Sequence, residues 1–199
     1  MKRKFDEVLA DFKNRILNEE RSYSCAMAYL DPKSEISKKI VEFAKNIPEE
    51  QLYTEKDEDY GRETEPHATI LYGIHSEDED EIFESLEAGE DIKATLGKLS
   101  FFECDDYNVL KIDVKSDRLN ELNKKLCDKI EYSSNYPQYR SHMTLAYLKK
   151  EIELDQYEKK PDITDIFENV EIQFPYIKIS TPSSEKFFHA KGGEYIRKW

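Results

Sequence analysis

The chain has 199 residues, of which 43 are Asp or Glu and 30 are Lys or Arg, for a net charge of −13. That balance argues against passive binding to long nucleic acid, whose affinity rests on many basic residues neutralising phosphates, and leaves room for a small anion held in a locally positive pocket. With 38% apolar and 12% aromatic residues the composition is globular and of a length for one domain, residues 1–199, which excludes a disordered or collagenous chain.

Taken in chain order, Phe5, Val8, Leu9, Phe12, Ile16 and Leu17 recur at helical spacing and predict an amphipathic helix over about 3–19. Residues 23–30 read as a buried strand stopped by Asp31-Pro32, and a second helix is expected over about 35–46, capped by Ser34 and ended before Pro48. The acidic, aperiodic stretch 53–66 should be a loop that delivers the chain to a strand at 67–72. Ser76-Glu77-Asp78-Glu79 has the form of a capping box for a helix over about 76–86. A hairpin of strands 92–103 and 109–115 follows, turning at 105–108, and then a helix over about 117–130 with Leu119, Leu122, Leu126 and Ile130 on one face. A Tyr-, Ser-, Asn- and Pro-bearing loop, 131–141, leads into another strand at 142–147. Beyond it we expect a short helical piece near 162–167 and strands at 170–180 and 185–189.

Cys25, Cys104 and Cys127 are scattered without metal-ligand spacing and read as reduced, mostly buried thiols. The first residues turn acidic at once with no apolar h-region behind them, and no apolar run approaches membrane-spanning length, so we expect a cytoplasmic protein without a secretory signal.

The chemistry is carried by two matching segments, His67-Ala68-Thr69-Ile70-Leu71-Tyr72 and His142-Met143-Thr144-Leu145-Ala146-Tyr147. Strand alternation sets His67 and Thr69 on one side and Ala68, Ile70 and Tyr72 on the other; His142 and Thr144 likewise oppose Met143, Leu145 and Tyr147. Brought together, the strands would converge two imidazoles and two hydroxyls, the groups that acid/base chemistry on a phosphodiester requires. A strand histidine is usually structural, but two of only four histidines share this frame, each followed by a tyrosine at the same offset. His75 and His189 lack the context and read as structural. Each motif follows a strand, helix and loop, and that repetition suggests a pseudo-symmetric, two-lobed α+β fold with a groove between the lobes.

The duplicated motifs resemble those of the two-histidine (2H) phosphoesterases, over roughly residues 23–190. The flank Glu65-Pro66-His67-Ala68-Thr69-Ile70-Leu71-Tyr72-Gly73-Ile74 is most similar to the phage branch that degrades cyclic oligonucleotide signals of CBASS antiviral defence. The resemblance implies antiparallel sheets with a central cleft and helices outside, and the helix over 1–20 is an addition to a minimal member. It implies a metal-free, cofactor-independent cleavage of 3′-5′ bonds in cyclic di- or trinucleotides, with His67 and His142 as acid and base and Thr69 and Thr144 holding the non-bridging oxygens. Base recognition is expected from aromatics beside the cleft, Tyr23 first and then Phe102, with Tyr139 and Arg140 on the loop before His142 as further substrate contacts. Lys178 and Lys186, on the terminal strands, could offset phosphate charge but are read as solvated lysines. An RNA 2′,3′-cyclic phosphodiesterase and a non-catalytic nucleotide-sequestering module are the alternative readings.

Overall fold

The computed structural model describes residues 23–54, 60–134, 138–158 and 167–196. Its elements are β1 (Ser24–Tyr29), α1 (Glu35–Lys45), β2 (His67–Ile74), α2 (Glu79–Leu86), β3 (Ile92–Glu103), β4 (Tyr107–Lys115) and α3 (Asp117–Lys129), then β5 (His142–Lys149), α4 (Asp155–Glu158), β6 (Glu171–Phe174), β7 (Tyr176–Ser180), β8 (Glu185–His189) and β9 (Tyr195–Ile196). The strands form two antiparallel sheets, in the orders β2-β1-β7-β8-β9 and β5-β4-β3-β6. The α+β, two-lobed architecture expected from the repeat is therefore present, with one motif strand at the edge of each sheet.

The helices form where local chemistry supports them. Ser34 caps α1 by accepting from the Ser37 amide at 3.2 Å, and Ser116 caps α3 through the Leu119 amide at 3.2 Å, each relieving an unpaired first-turn donor. The expected capping box at Ser76 does not form. Asp78 is the cap of α2, its carboxylate accepting from the Asp80 and Glu81 amides at 3.0 Å, while Ser76 turns its hydroxyl to Glu81. A charged acceptor displaces the serine, which shortens the helix by three residues relative to the expected 76–86.

The expected strand 170–180 is two strands. Pro175 has no amide to donate to a ladder, and the chain changes sheets there: β6 pairs with β3, and β7 with β1. This crossing stitches the lobes together. The β3–β4 turn is also tighter than expected, because Tyr107 and Asn108 already pair in β4. The predicted amino-terminal helix and the helical piece over 162–166 lie outside the described residues; Phe167 sits buried in a turn.

A single large core fills the space beneath the sheets and joins both lobes through Ala26, Ala28, Ile70, Ile74, Leu119, Leu122, Leu126, Met143 and Leu145. Each lobe's helix reaches across: α3 packs on β2, and α1 on β5. Burying the Ile, Leu and Met side chains among these contributes on the order of 1.5–3 kcal/mol each before entropy, so the apolar helix faces fix the two motif strands against each other.

Candidate active site

Both motif strands carry a bulge at the same place. The partners of β2 on β1 run Tyr29↔His67, Ala28↔Ala68, Met27↔Thr69, then Ala26↔Leu71 and Cys25↔Tyr72, so Ile70 is passed over. On β5, Asp113↔His142 and Lys111↔Thr144 are followed by Leu110↔Ala146 and Val109↔Tyr147, so Leu145 is passed over. One extra residue inverts the alternation beyond it. Tyr72 and Tyr147 therefore share the face of the His/Thr pair, contrary to the simple alternation expected from the sequence, and Tyr72 is 60% exposed.

Each bulge is held by the opposite lobe. The Ile70 carbonyl accepts from Asn123 Nδ2 of α3 at 2.8 Å, and the Leu145 carbonyl from the Glu63 amide at 2.9 Å. The strand edges are covered in the same reciprocal way. Ser133 donates its amide to the Gly73 carbonyl at 2.8 Å beside β2, and Tyr53 and Gly61 bond the Tyr147 backbone beside β5 at 3.0 and 2.8 Å. Gly73 is required there: its φ is +87°, and a Cβ would stand 2.0 Å from the Ser133 carbonyl oxygen.

The two imidazoles are held identically. His67 Nδ1 donates to the Glu65 carbonyl and His142 Nδ1 to the Arg140 carbonyl, each two residues back and each at 2.8 Å. A carbonyl accepts only, so Nδ1 carries the proton and Nε2 of both rings is left to exchange one. The rings lie near enough for His67 to bias His142 electrostatically. Burial, more than any neighbour, pushes the His142 imidazole below the ordinary histidine range; Lys111 and His67 push the same way, while the Arg140 bond and Asp113 oppose. Glu63 Oε2 lies 3.9 Å from His67 Nδ1, a counter-ion for an imidazolium there.

Other expected contacts fall around this pair. Phe102 meets His142 edge-on at 4.8 Å between centroids. Tyr23 packs edge-on against Tyr72 at 6.5 Å and stacks on His75 at 5.3 Å, so it adjoins the open end of β2. Tyr139 donates its hydroxyl to the Thr69 carbonyl at 2.8 Å, which ties the second lobe's loop to the first motif strand and commits its phenol to the backbone. Arg140 is exposed and supplies the His142 acceptor. His75 binds Ser133 Oγ at 2.8 Å, and His189 leans on Tyr176, in keeping with structural roles.

Lys178 is not solvated as expected. It is 8% exposed, with its ammonium 2.9 Å from Glu185 Oε2 and 5.8 Å from the Tyr29 ring centre. It lies on the face of β7 that continues the Met27 and Tyr29 side of β1, and so on the same side of the sheet as His67 and Thr69, between the Tyr29 and Phe187 rings. Lys186 pairs with Asp80 at 2.7 Å, on the surface. The three cysteines are free and only partly covered as residues, though burial pushes the Cys25 thiol up to about 12.

Four residues of the site escape a sequence reading: Tyr29, Ser100, Lys111 and Asp113. Tyr29 stacks on His67 at 5.0 Å with the planes 16° apart. Lys111, 5% exposed, donates to Ser100 Oγ at 2.6 Å and to Asp113. The available signal is the Val109-Leu110-Lys111-Ile112-Asp113-Val114 run, where opposite charges two apart must share one strand face. Among the described residues, no three His, Cys, Asp or Glu side chains cluster as metal ligands do, and no helix is long and apolar enough to cross a membrane.

Two motif strands edge to edge, each presenting a histidine and a threonine from its own lobe, define a two-histidine phosphoesterase. The fold is shared with TT0787 of Thermus thermophilus, at a TM-score of 0.57 and 14% identity over 87% of this chain and 100% of that one. Usb1 of Kluyveromyces marxianus superposes with a TM-score of 0.51 and 11% identity, over 84% of this chain and 97% of that one. No curated protein matches the chain in sequence. The model of the anti-CBASS protein Acb1 family matches residues 37–174, and the chain belongs to that family.

Proposed function

We propose that the protein is a metal-independent phosphodiesterase that opens 3′-5′ linkages in cyclic di- and trinucleotides, and so removes the signal on which CBASS defence depends. The observation that carries the reading is the matched pair of Nδ1–carbonyl bonds, which leaves two Nε2 atoms, one per lobe, with the same tautomeric preparation. One neutral imidazole takes the proton of a ribose 2′-hydroxyl, whose oxygen attacks the adjacent phosphorus in line. The P–O5′ bond breaks as the other imidazole, protonated, delivers its proton to O5′. The product is a linear nucleotide ending in a 2′,3′-cyclic phosphate. Thr69 and Thr144, on the same strand faces, would donate to the non-bridging oxygens as charge accumulates there.

Membership of the anti-CBASS family supports a small cyclic substrate, as does the acidic surface, which disfavours long RNA. Tyr72 and Tyr23 offer an exposed aromatic wall beside the first motif for a base to stack on, in a manner tolerant of base identity. Incubating the purified protein with 3′-5′-linked cyclic di- and trinucleotides and a short RNA in EDTA, with products resolved by chromatography, tests this. Linear products from the cyclic compounds are expected; a strict need for divalent metal, or cleavage of the RNA alone, would overturn it.

A further inference from the structure

The lobes furnish the strand beside each motif differently. Across from Thr69 and His67 stand Met27 and Tyr29, both uncharged; across from Thr144 and His142 stand Lys111 and Asp113. We propose that Lys111, balanced by Asp113, is a positioning residue that keeps His142 neutral, which makes His142 the general base and leaves His67 as the general acid. The assignment rests on the phosphodiesterase reading above.

The groups around His142 can be named element by element. From β4 come Lys111 and Asp113, from β3 the Phe102 ring, from β2 His67, and from the preceding loop the Arg140 carbonyl. A buried ammonium is costly unless paired, and this one is paired with Asp113 and Ser100, with its charge 4.3 Å from the centre of the Phe102 ring that abuts His142. Asp113 is fastened in turn: burial pushes its carboxyl up, but the bonds from Lys111 and Ser100 outweigh this and hold it below its ordinary range. A lone Asp113 would attract a proton onto His142. The lysine cancels that attraction and adds its own repulsion. On the first lobe the buried ammonium is Lys178, paired with Glu185 and one strand further from the motif, 5.8 Å from the centre of the Tyr29 ring that stacks on His67, while the nearest charge to His67 is the Glu63 carboxylate, 3.9 Å from Nδ1.

The two halves of the pair therefore act on His142 with opposite sign, which a purely structural role does not. In profiles of kcat/KM against pH on a cyclic dinucleotide in EDTA, the acidic limb reports ionisation of the base. For Lys111→Met it should move up by about one pH unit, and for Asp113→Asn down by a similar amount, the scale of one nearby charge. Reduced rates with an unmoved limb in both variants would overturn the proposal. Because Lys111→Met removes a buried charge partner and can impair folding, the near-isosteric Asp113→Asn is also read without turnover, by NMR titration of the His142 ring protons assigned against His142→Gln. A lower titration midpoint than in the unsubstituted protein supports the proposal, and an unchanged or higher one contradicts it. Should no cyclic nucleotide be cleaved, the phosphodiesterase reading fails while this titration, run on Asp113→Asn and on whatever Lys111→Met protein folds, still decides whether the pair acts on the His142 proton with opposite signs.

Discussion

Met27 and Tyr29 flank the first His-x-Thr strand and Lys111 and Asp113 flank the second, although both strands share their bulge, their histidine tautomer and their borrowed edge partners. The shared features are those a backbone must supply: an Nδ1 acceptor two residues back, and a satisfied carbonyl at each bulge. What differs is where the charges stand, on the strand next to the second motif but one strand further off at the first, and the placement of charge is what separates a proton donor from a proton acceptor when two imidazoles of similar intrinsic basicity face one phosphate. Duplication can thus produce the pair, and differences on the neighbouring strands can assign its roles.

The largest break in this comparison is the loss of either imidazole. His67→Ala and His142→Ala should each lower kcat/KM by roughly 10²- to 10⁴-fold, with the double variant little worse than the poorer single one, because both act in a single step. Full additivity in the double variant would argue against concerted use. Replacing the threonines asks whether the lobes share the developing charge. Thr69→Ala and Thr144→Ala should each cost up to about 10²-fold in kcat, with KM changing less; a loss confined to KM would mean that they merely bind. The smallest effect separates scaffold from chemistry. Gly73→Ala places a methyl group against the Ser133 carbonyl at a left-handed φ, and should destabilise the fold by roughly 2–3 kcal/mol. Gly89→Ala, with open space around it, should stay within about 0.5 kcal/mol in the same denaturant titration. Equal stability of the two variants would mean that the reciprocal edge contact does not hold β2 in place.

The parts of the molecule legible in the sequence are those whose signals are local. Helix α1 with its Ser34 cap, strand β3 and strand β8 follow from periodicity and stop residues, and the His-x-Thr pairs follow from repetition. What is not legible depends on partners far along the chain. The bulges at Ile70 and Leu145 are supported by Asn123 and Glu63, which satisfy their carbonyls, so a simple alternation puts Tyr72 and Tyr147 on the wrong face. Lys178 reads as solvated because nothing in residues 176–180 shows that β1 and β8 cover it. The Lys111–Asp113 pair is visible as an alternation, yet its meaning comes only from the register that sets it across from Thr144 and His142.

The division of labour between the two lobes can be measured most directly with a cyclic dinucleotide whose scissile O5′ is replaced by sulfur. A thiolate leaves without a proton, so the variant lacking the general acid should be rescued and the variant lacking the base should not. We expect His67→Ala to regain about 10²-fold or more in kcat/KM on the sulfur substrate relative to the oxygen one, while His142→Ala stays impaired on both. Rescue of His142→Ala instead, or of neither variant, would contradict the assignment of His142 as base and His67 as acid.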